Sequence, residues 1–294
     1  MKVYKSKAAG QKIRDTYDRL LAEWGIGTEE RDIPTRYGST HVHVFGAPDA
    51  APVVLFHGVG DDSALMWLYN AAALAPHFRL YAVDTLGGPG KSVPGSGYNG
   101  QFDQAIWIDE VLDGLGLDRV FAAGVSNGAY LVQHYAAARP ERVVKAVAMA
   151  SSVPAGSGLV PMSKMLRIFL PEALFPTKRN IRKLLTKLSG DNSAVFTDNP
   201  LILEHYTYLL RGFNNMAMRY HKVTALTPSE IDSLRSKVLF LIGEDDPFAA
   251  LGGMEALKAY GMNFRSFPGA GHGINHEIPG EINAAIIQYF KGQS

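Results

Sequence analysis

The sequence predicts an α/β fold: a mostly parallel central sheet flanked by helices, with an inserted helical cap. Three observations carry that reading. Short runs that are apolar on both faces recur with helix-like segments between most of them, the pattern of parallel strands covered on both sides. A run of small and apolar residues, Val120 to Ala123, meets Gly124-Val125-Ser126-Asn127-Gly128 and then a helix-like stretch from Ala129 to Ala138, which is a strand, a sharp turn and a helix. Between Ser151 and Lys237 the strand rhythm stops and helical spacing takes over.

Taken in order, Ile13, Tyr17, Leu20, Leu21 and Trp24 fall at helical spacing and Gly25 is placed to end the helix, so an amphipathic helix is expected over about 10–25. His41-Val42-His43-Val44 alternates with period two after a Tyr37-Gly38-Ser39 turn, which predicts an antiparallel hairpin with one wet face and His41 and His43 on the surface. Strands follow at Pro52 to Phe56, Phe78 to Val83, Val120 to Ala123, Val143 to Met149, Val238 to Ile242 and Asn263 to Phe267, and a helix from Pro279 to Phe290 closes the chain. In the interruption, Met162, Met165, Leu166, Phe169 and Leu170 have helical spacing, followed by Ile181 to Leu188 and Leu201 to Met218; Thr227-Pro228-Ser229-Glu230 reads as a helix start with a capping box. The expected organisation is therefore a core of residues 1–150 and 236–294 with a cap of residues 151–235 over the strand ends. Lys178, Arg179, Arg182, Lys183 and Lys187 are expected to form a solvated helix face.

Composition narrows the function classes. With 29 basic and 28 acidic residues in 294, nothing steers the chain to nucleic acid or an anionic membrane, and a small or neutral partner is expected. The absence of cysteine removes disulfides, thiolate nucleophiles and thiolate metal sites. Met1 to Trp24 is polar, and no segment approaches the roughly 20 apolar residues of a membrane span. A cytoplasmic location is expected, although a mature secreted chain would read the same way.

The chemistry starts at Ser126. A serine at the tip of a strand–turn–helix is held in a strained conformation that lifts its hydroxyl clear of the sheet, and the crowding admits only small residues two positions either side; Gly124 and Gly128 occupy them. A serine hydroxyl needs an imidazole to take its proton, and the imidazole needs a carboxylate to fix its tautomer. Glu244-Asp245-Asp246 follows one strand and Gly271-His272-Gly273 follows the next, at the end of an open sheet where sites form. Attack on a carbonyl builds charge on its oxygen, which two amides should meet: that of Asn127 and, from His57-Gly58-Val59-Gly60, that of Val59. His57 is expected to brace its loop. Met66, Trp67 and Phe248 are candidates for lining the substrate pocket.

Two other patterns carry less. Gly87-Gly88-Pro89-Gly90-Lys91-Ser92 ends like a phosphate-binding loop, but Thr85 stands where that motif needs glycine and Pro89 removes an amide donor. His272 and His276 are four apart as in a zinc helix, yet Gly273 and the missing Glu argue against a metal. No metal and no cofactor is expected.

With these pieces in place the chain resembles the α/β-hydrolase superfamily, and within it the carboxylesterase-like branch with an N-terminal helix, an HG-type oxyanion loop, an Asp-x-x-Gly-x-x-Gly-Lys-Ser loop (Asp84 to Ser92) and a helical cap. The resemblance implies cofactor-independent hydrolysis of small-molecule carboxylic esters through an acyl-enzyme on Ser126, with His272 as general base and acid. It favours Asp246, at the usual place after the strand-ending glycine, with Asp245 as the alternative. The same scaffold also carries carbon-carbon hydrolases, lactonases, thioesterases, perhydrolases and non-catalytic ligand-binding proteins.

Overall fold

The computed structural model describes residues 1–155, 167–170 and 172–292. The strands are β1 (Glu29–Thr35), β2 (Gly38–Gly46), β3 (Pro52–Phe56), β4 (Arg79–Val83), β5 (Val93–Pro94), β6 (Val120–Val125), β7 (Val143–Met149), β8 (Val238–Gly243) and β9 (Asn263–Phe267). They form one sheet in the order β1-β2-β4-β3-β6-β7-β8-β9, with β5 beside β2. β3, β4 and β6 to β9 pair in parallel, while β1, β2 and β5 are joined antiparallel. The mostly parallel sheet is the one the sequence predicts.

Helices cover both faces: α1 (Lys7–Ala22), α2 (Ser63–Met66), α3 (Ala71–Leu74), α4 (Gln104–Leu115), α5 (Asn127–Ala138), α6 (Lys178–Leu188), α7 (Ala194–Thr197), α8 (Pro200–Gly212), α9 (Pro228–Leu234), α10 (Gly253–Ala259), α11 (Ile274–Glu277) and α12 (Pro279–Phe290). Alternate residues of each inner strand point to opposite sides, so a strand covered twice must be apolar throughout. Val53 and Leu55 join the core under α1 and α12, whereas Val54 and Phe56 join the core under α4 and α5.

α1 starts three residues before the expected span. Ser6 caps it by accepting from the Ala9 amide at 3.1 Å, and its side chains Ile13, Tyr17 and Leu20 are buried. The antiparallel hairpin forms, with β1 exposed along most of its length, but β2 lies inside the sheet, between β1 and β4, and α1 closes over it, so the two histidines are not on the surface: His41 and His43 are 4% and 0% exposed. A two-strand reading of the alternation does not see the third strand or the helix laid across it.

Between β7 and β8 the chain runs through α6, α7, α8, a 3₁₀ turn at Asn215–Met218 and α9. Helix α8 ends at Gly212, so the expected Leu201 to Met218 stretch breaks in two. Thr227 and Glu230 form the expected capping box. Residues 167–169 are helical; the expected helical positions Met162, Met165 and Leu166 lie outside the described residues. Helix α6 buries Ile181, Leu184 and Leu185 and turns its lysines and arginines outward, a solvated face.

Helix α8 packs on α1. Thr16 Oγ1 lies 2.7 Å from His205 Nδ1, Arg19 pairs with Glu204 at 2.8 Å, and a Cβ added at Gly212 would stand 2.9 Å from that of Ala9. His205 Nε2 is in turn 2.8 Å from Asp62 Oδ2, and Asp62 caps α2. The loop that follows β3 is thus held from both α1 and α8. Among the described residues no helix is long and apolar enough to cross a membrane.

Leu20 is wholly buried in this layer. Leu20→Ala should lower the unfolding free energy by about 2–5 kcal/mol through lost burial and the cavity left behind, measured by urea denaturation.

Candidate active site

β6 delivers its last residue to Ser126, whose φ of 55° and ψ of −114° belong to no regular element. Such a backbone costs about 1–3 kcal/mol and persists where its surroundings over-determine it. They do so here. The Ser126 amide donates to Met149 O at 2.9 Å, and a Cβ on Gly124 would lie 2.2 Å from the Gly128 carbonyl carbon. One on Gly128 would lie 2.1 Å from Phe56 O. Both glycines are therefore required by the approach of α5 to the ends of β3 and β6.

The loop after β3 passes beside this turn. From Gly58, the positions a side chain would occupy are 3.5 Å from Ser126 Cβ and 3.7 Å from Met66 Cε. His57 is buried, donates from Nδ1 to Gly58 O at 2.8 Å and accepts the Thr85 amide on Nε2 at 2.9 Å. Both ring nitrogens are engaged in shaping the loop, the bracing role expected of it. Val59 follows and is 55% exposed, and Asn127 opens α5, where backbone amides lack helical partners.

The acidic loop resolves into one inward carboxylate. Glu244 and Asp245 are exposed, whereas Asp246 is 1% exposed. Its Oδ1 accepts the Phe248 amide at 2.8 Å and its Oδ2 lies 2.9 Å from His272 Nδ1. A carboxylate can only accept, so Nδ1 carries the proton and the lone pair of the neutral ring is on Nε2. Burial pushes the His272 pKa down, but the charge of Asp246, its hydrogen bond and the more distant Glu277 outweigh this, and the net shift is upward. Phe248 packs on the imidazole with centroids 4.7 Å apart, and Phe169 approaches Phe248 at 5.9 Å.

Of the other candidate pocket residues, Met66 is 6% exposed and accepts from Asn275 Nδ2 through its carbonyl, while Trp67 is fully buried in the core. Surface hollows of about 650 and 540 Å³ lie along α8 and include none of Ser126, Asp246 or His272.

Sequence reasoning missed Glu277. Its buried carboxylate accepts the amides of Gly271 at 3.1 Å and Gly190 at 2.7 Å, and the His272 amide donates to Leu188 O at 2.7 Å. The histidine loop is thereby fastened to the C-terminal end of α6. The signal was an acid five residues beyond a glycine-flanked histidine, too common to read alone. His276 is turned away, bonded through Nε2 to Leu65 O, and burial lowers its pKa to about 4. The phosphate-loop lookalike closes on an anion of its own: Asp84 accepts the amides of Lys91 at 2.7 Å and Ser63 at 3.1 Å, and a Cβ on Gly90 would lie 2.2 Å from Asp84 Cγ.

Residues 51–173 match the family model for the alpha/beta hydrolase fold. Carboxylesterase YbfK of Bacillus subtilis is 38% identical over 139 residues, a match spanning 47% of either chain. Its crystal structure superposes with a TM-score of 0.80 at 25% identity, covering 97% of this chain and 99% of that one. The uncharacterized carboxylesterase nap of the same organism is 28% identical over 97% of this chain and 94% of its own. A 2-hydroxy-6-oxo-2,4-heptadienoate hydrolase of Pseudomonas putida is 30% identical over 70% of this chain and 75% of its own. A strained serine between sheet and helix, on a fold shared almost end to end with an esterase, has one consistent reading: the chain belongs to the α/β-hydrolase family and is carboxylesterase-like within it.

Proposed function

We propose that the protein hydrolyses carboxylic esters of small molecules through an acyl-enzyme on Ser126. The hydrogen bond between His272 Nδ1 and the buried Asp246, 2.9 Å long, is the observation that carries this reading, because it leaves Nε2 as the proton acceptor. In the first half-reaction Ser126 Oγ attacks the ester carbonyl as its proton passes to His272 Nε2. The negative charge of the tetrahedral intermediate falls to the backbone amides of Val59 and Asn127. Collapse breaks the bond to the alcohol oxygen, which takes the proton from His272 and leaves as the free alcohol. Water then gives a proton to His272 and its oxygen to the acyl carbon, and Ser126 recovers its proton as the acid departs. Asp246 keeps the tautomer and stabilises the imidazolium. Residues 151–235 act as the cap, with Met66 and Phe248 shaping the acyl and alcohol pockets. No cofactor takes part.

The likeness to the Pseudomonas putida hydrolase supports a second reading, carbon-carbon bond hydrolysis of a diketone by the same three residues. Side-by-side steady-state assays on short esters and on diketones separate the two.

Ser126→Ala should lower kcat/KM for a short p-nitrophenyl ester by roughly 10⁶-fold while the circular dichroism spectrum is unchanged. Turnover that survives the substitution rejects the serine mechanism.

Because His272 works as a base only when neutral and its pKa is raised, kcat/KM should climb with pH through an apparent pKa above 6.5, the ordinary histidine value. In Asp246→Asn that limb should move to lower pH and kcat should fall by about 10⁴-fold. An unmoved limb in the variant rules out Asp246 as the partner.

A further inference from the structure

On the far side of the sheet from these residues in strand order, with β4 and β3 between β2 and β6, the antiparallel register of β1 and β2 sets Glu30 opposite His43 and Asp32 opposite His41. Opposed residues share a face, as do residues two apart on one strand. Two imidazoles and two carboxylates therefore project together beneath α1.

Each imidazole is held in a tautomer that leaves one nitrogen bare. His41 Nδ1 lies 2.8 Å from Asp32 Oδ1, a pure acceptor, so the neutral ring carries its proton there and its lone pair on Nε2. Tyr17 Oη donates to Asp84 Oδ2 at 3.0 Å, so at 2.5 Å it receives the proton of His43 Nε2, which leaves the lone pair on Nδ1. Burial lowers the pKa of His43 to about 4, against the pull of Asp84, so this ring is neutral near pH 7. His41 and His43 are 4% and 0% exposed, and both bare nitrogens lack a hydrogen-bond partner among the described residues.

These nitrogens converge on the Glu30 carboxylate. The three ligand atoms lie within 4.8 Å of one another, and His41 Nε2 is 3.3 Å from Glu30 Oε2. A lone pair facing a carboxylate oxygen is repulsive unless a proton or a metal ion stands between them. Lys91 is bonded to Glu30 at 3.0 Å and to Asp18 at 2.9 Å, yet one ammonium against Asp18, Glu30 and Asp32 leaves two negative charges in excess.

We propose that Glu30 Oε2, His41 Nε2 and His43 Nδ1 bind a divalent transition-metal ion, Zn²⁺ in the first instance, with water as the fourth ligand. Two imidazoles and a carboxylate are a zinc donor set, and ligands about 2.0–2.2 Å from a tetrahedral ion stand roughly 3.3 Å apart. Asp32 and the Tyr17–Asp84 pair orient the two rings from behind, as partners of metal-bound histidines do. The ion has no part in ester cleavage; it pins the β1–β2 hairpin and adds to stability by binding the folded chain.

The full chain, stripped with EDTA and dialysed, is titrated with ZnCl₂ near neutral pH by calorimetry, and its Tm is followed with and without the metal. One ion per chain with a raised Tm is expected, weakened at least about tenfold in His41→Gln and in Glu30→Gln and retained in His272→Ala. Glu30 is 43% exposed, so that variant disturbs no core and stays informative if His41→Gln misfolds. No stoichiometric uptake by the wild type, uptake undiminished in Glu30→Gln, or loss of uptake in His272→Ala overturns the proposal.

Discussion

How near the start of α5 can come to the end of β3 is the constraint on which the rest of the site depends. With a Cβ at residue 128 the Phe56 carbonyl would have to move, and with one at residue 124 the first turn of the helix would have to move. Because neither is present, helix and strands close to backbone contact and the chain has no relaxed way to pass from one to the other. The strain is concentrated in Ser126, at φ 55°, and the packing of a largely buried helix holds it there. Three consequences follow from this one approach: a hydroxyl at the sheet's end, a helix-opening amide at Asn127 beside it, and the Gly58 loop running alongside.

The other half of the site is assembled differently. Asp246 and His272 come from loops after neighbouring parallel strands, and neither loop is strained; each is held by hydrogen bonds from elsewhere. Phe248 supplies the amide that fixes one oxygen of Asp246, and Glu277 gathers the amides of Gly271 and Gly190. On the opposite flank Asp62, bonded to His205, anchors the loop after β3. Buried carboxylates that each accept two backbone amides recur at two loops, Glu277 at the histidine loop and Asp84 at the loop of Lys91. Each substitutes a side-chain anion for the secondary structure that a loop lacks.

The parts of this architecture legible in the sequence are those with a local signature. Doubly apolar runs identified the inner strands because a parallel strand needs both faces dry, and Gly124-x-Ser126-x-Gly128 was readable because backbone crowding leaves no other residue type possible. Asp84, Asp62 and Glu277 were not legible as anchors, since their partners, the amides of Ser63, Lys91, Gly190 and Gly271 and the ring of His205, are brought together by the fold and not by a local pattern. The burial of His41 and His43 was misread for a related reason: alternation reports which residues differ from their neighbours, and a polar residue hidden by a distant helix looks the same as one in water.

The fastening of His272 to Leu188 and of Gly271 against Gly190 bears on how new specificities could be made by recombination. A chimaera that imports another relative's covering helices and rejoins at β8 would exchange the backbone carbonyl that receives the His272 amide and the glycine on which its loop rests. The sound crossover point lies upstream, before Leu188, so that the donor contributes the segment up to α6 and the recipient keeps α7 to α9 and the support of its own His272 loop.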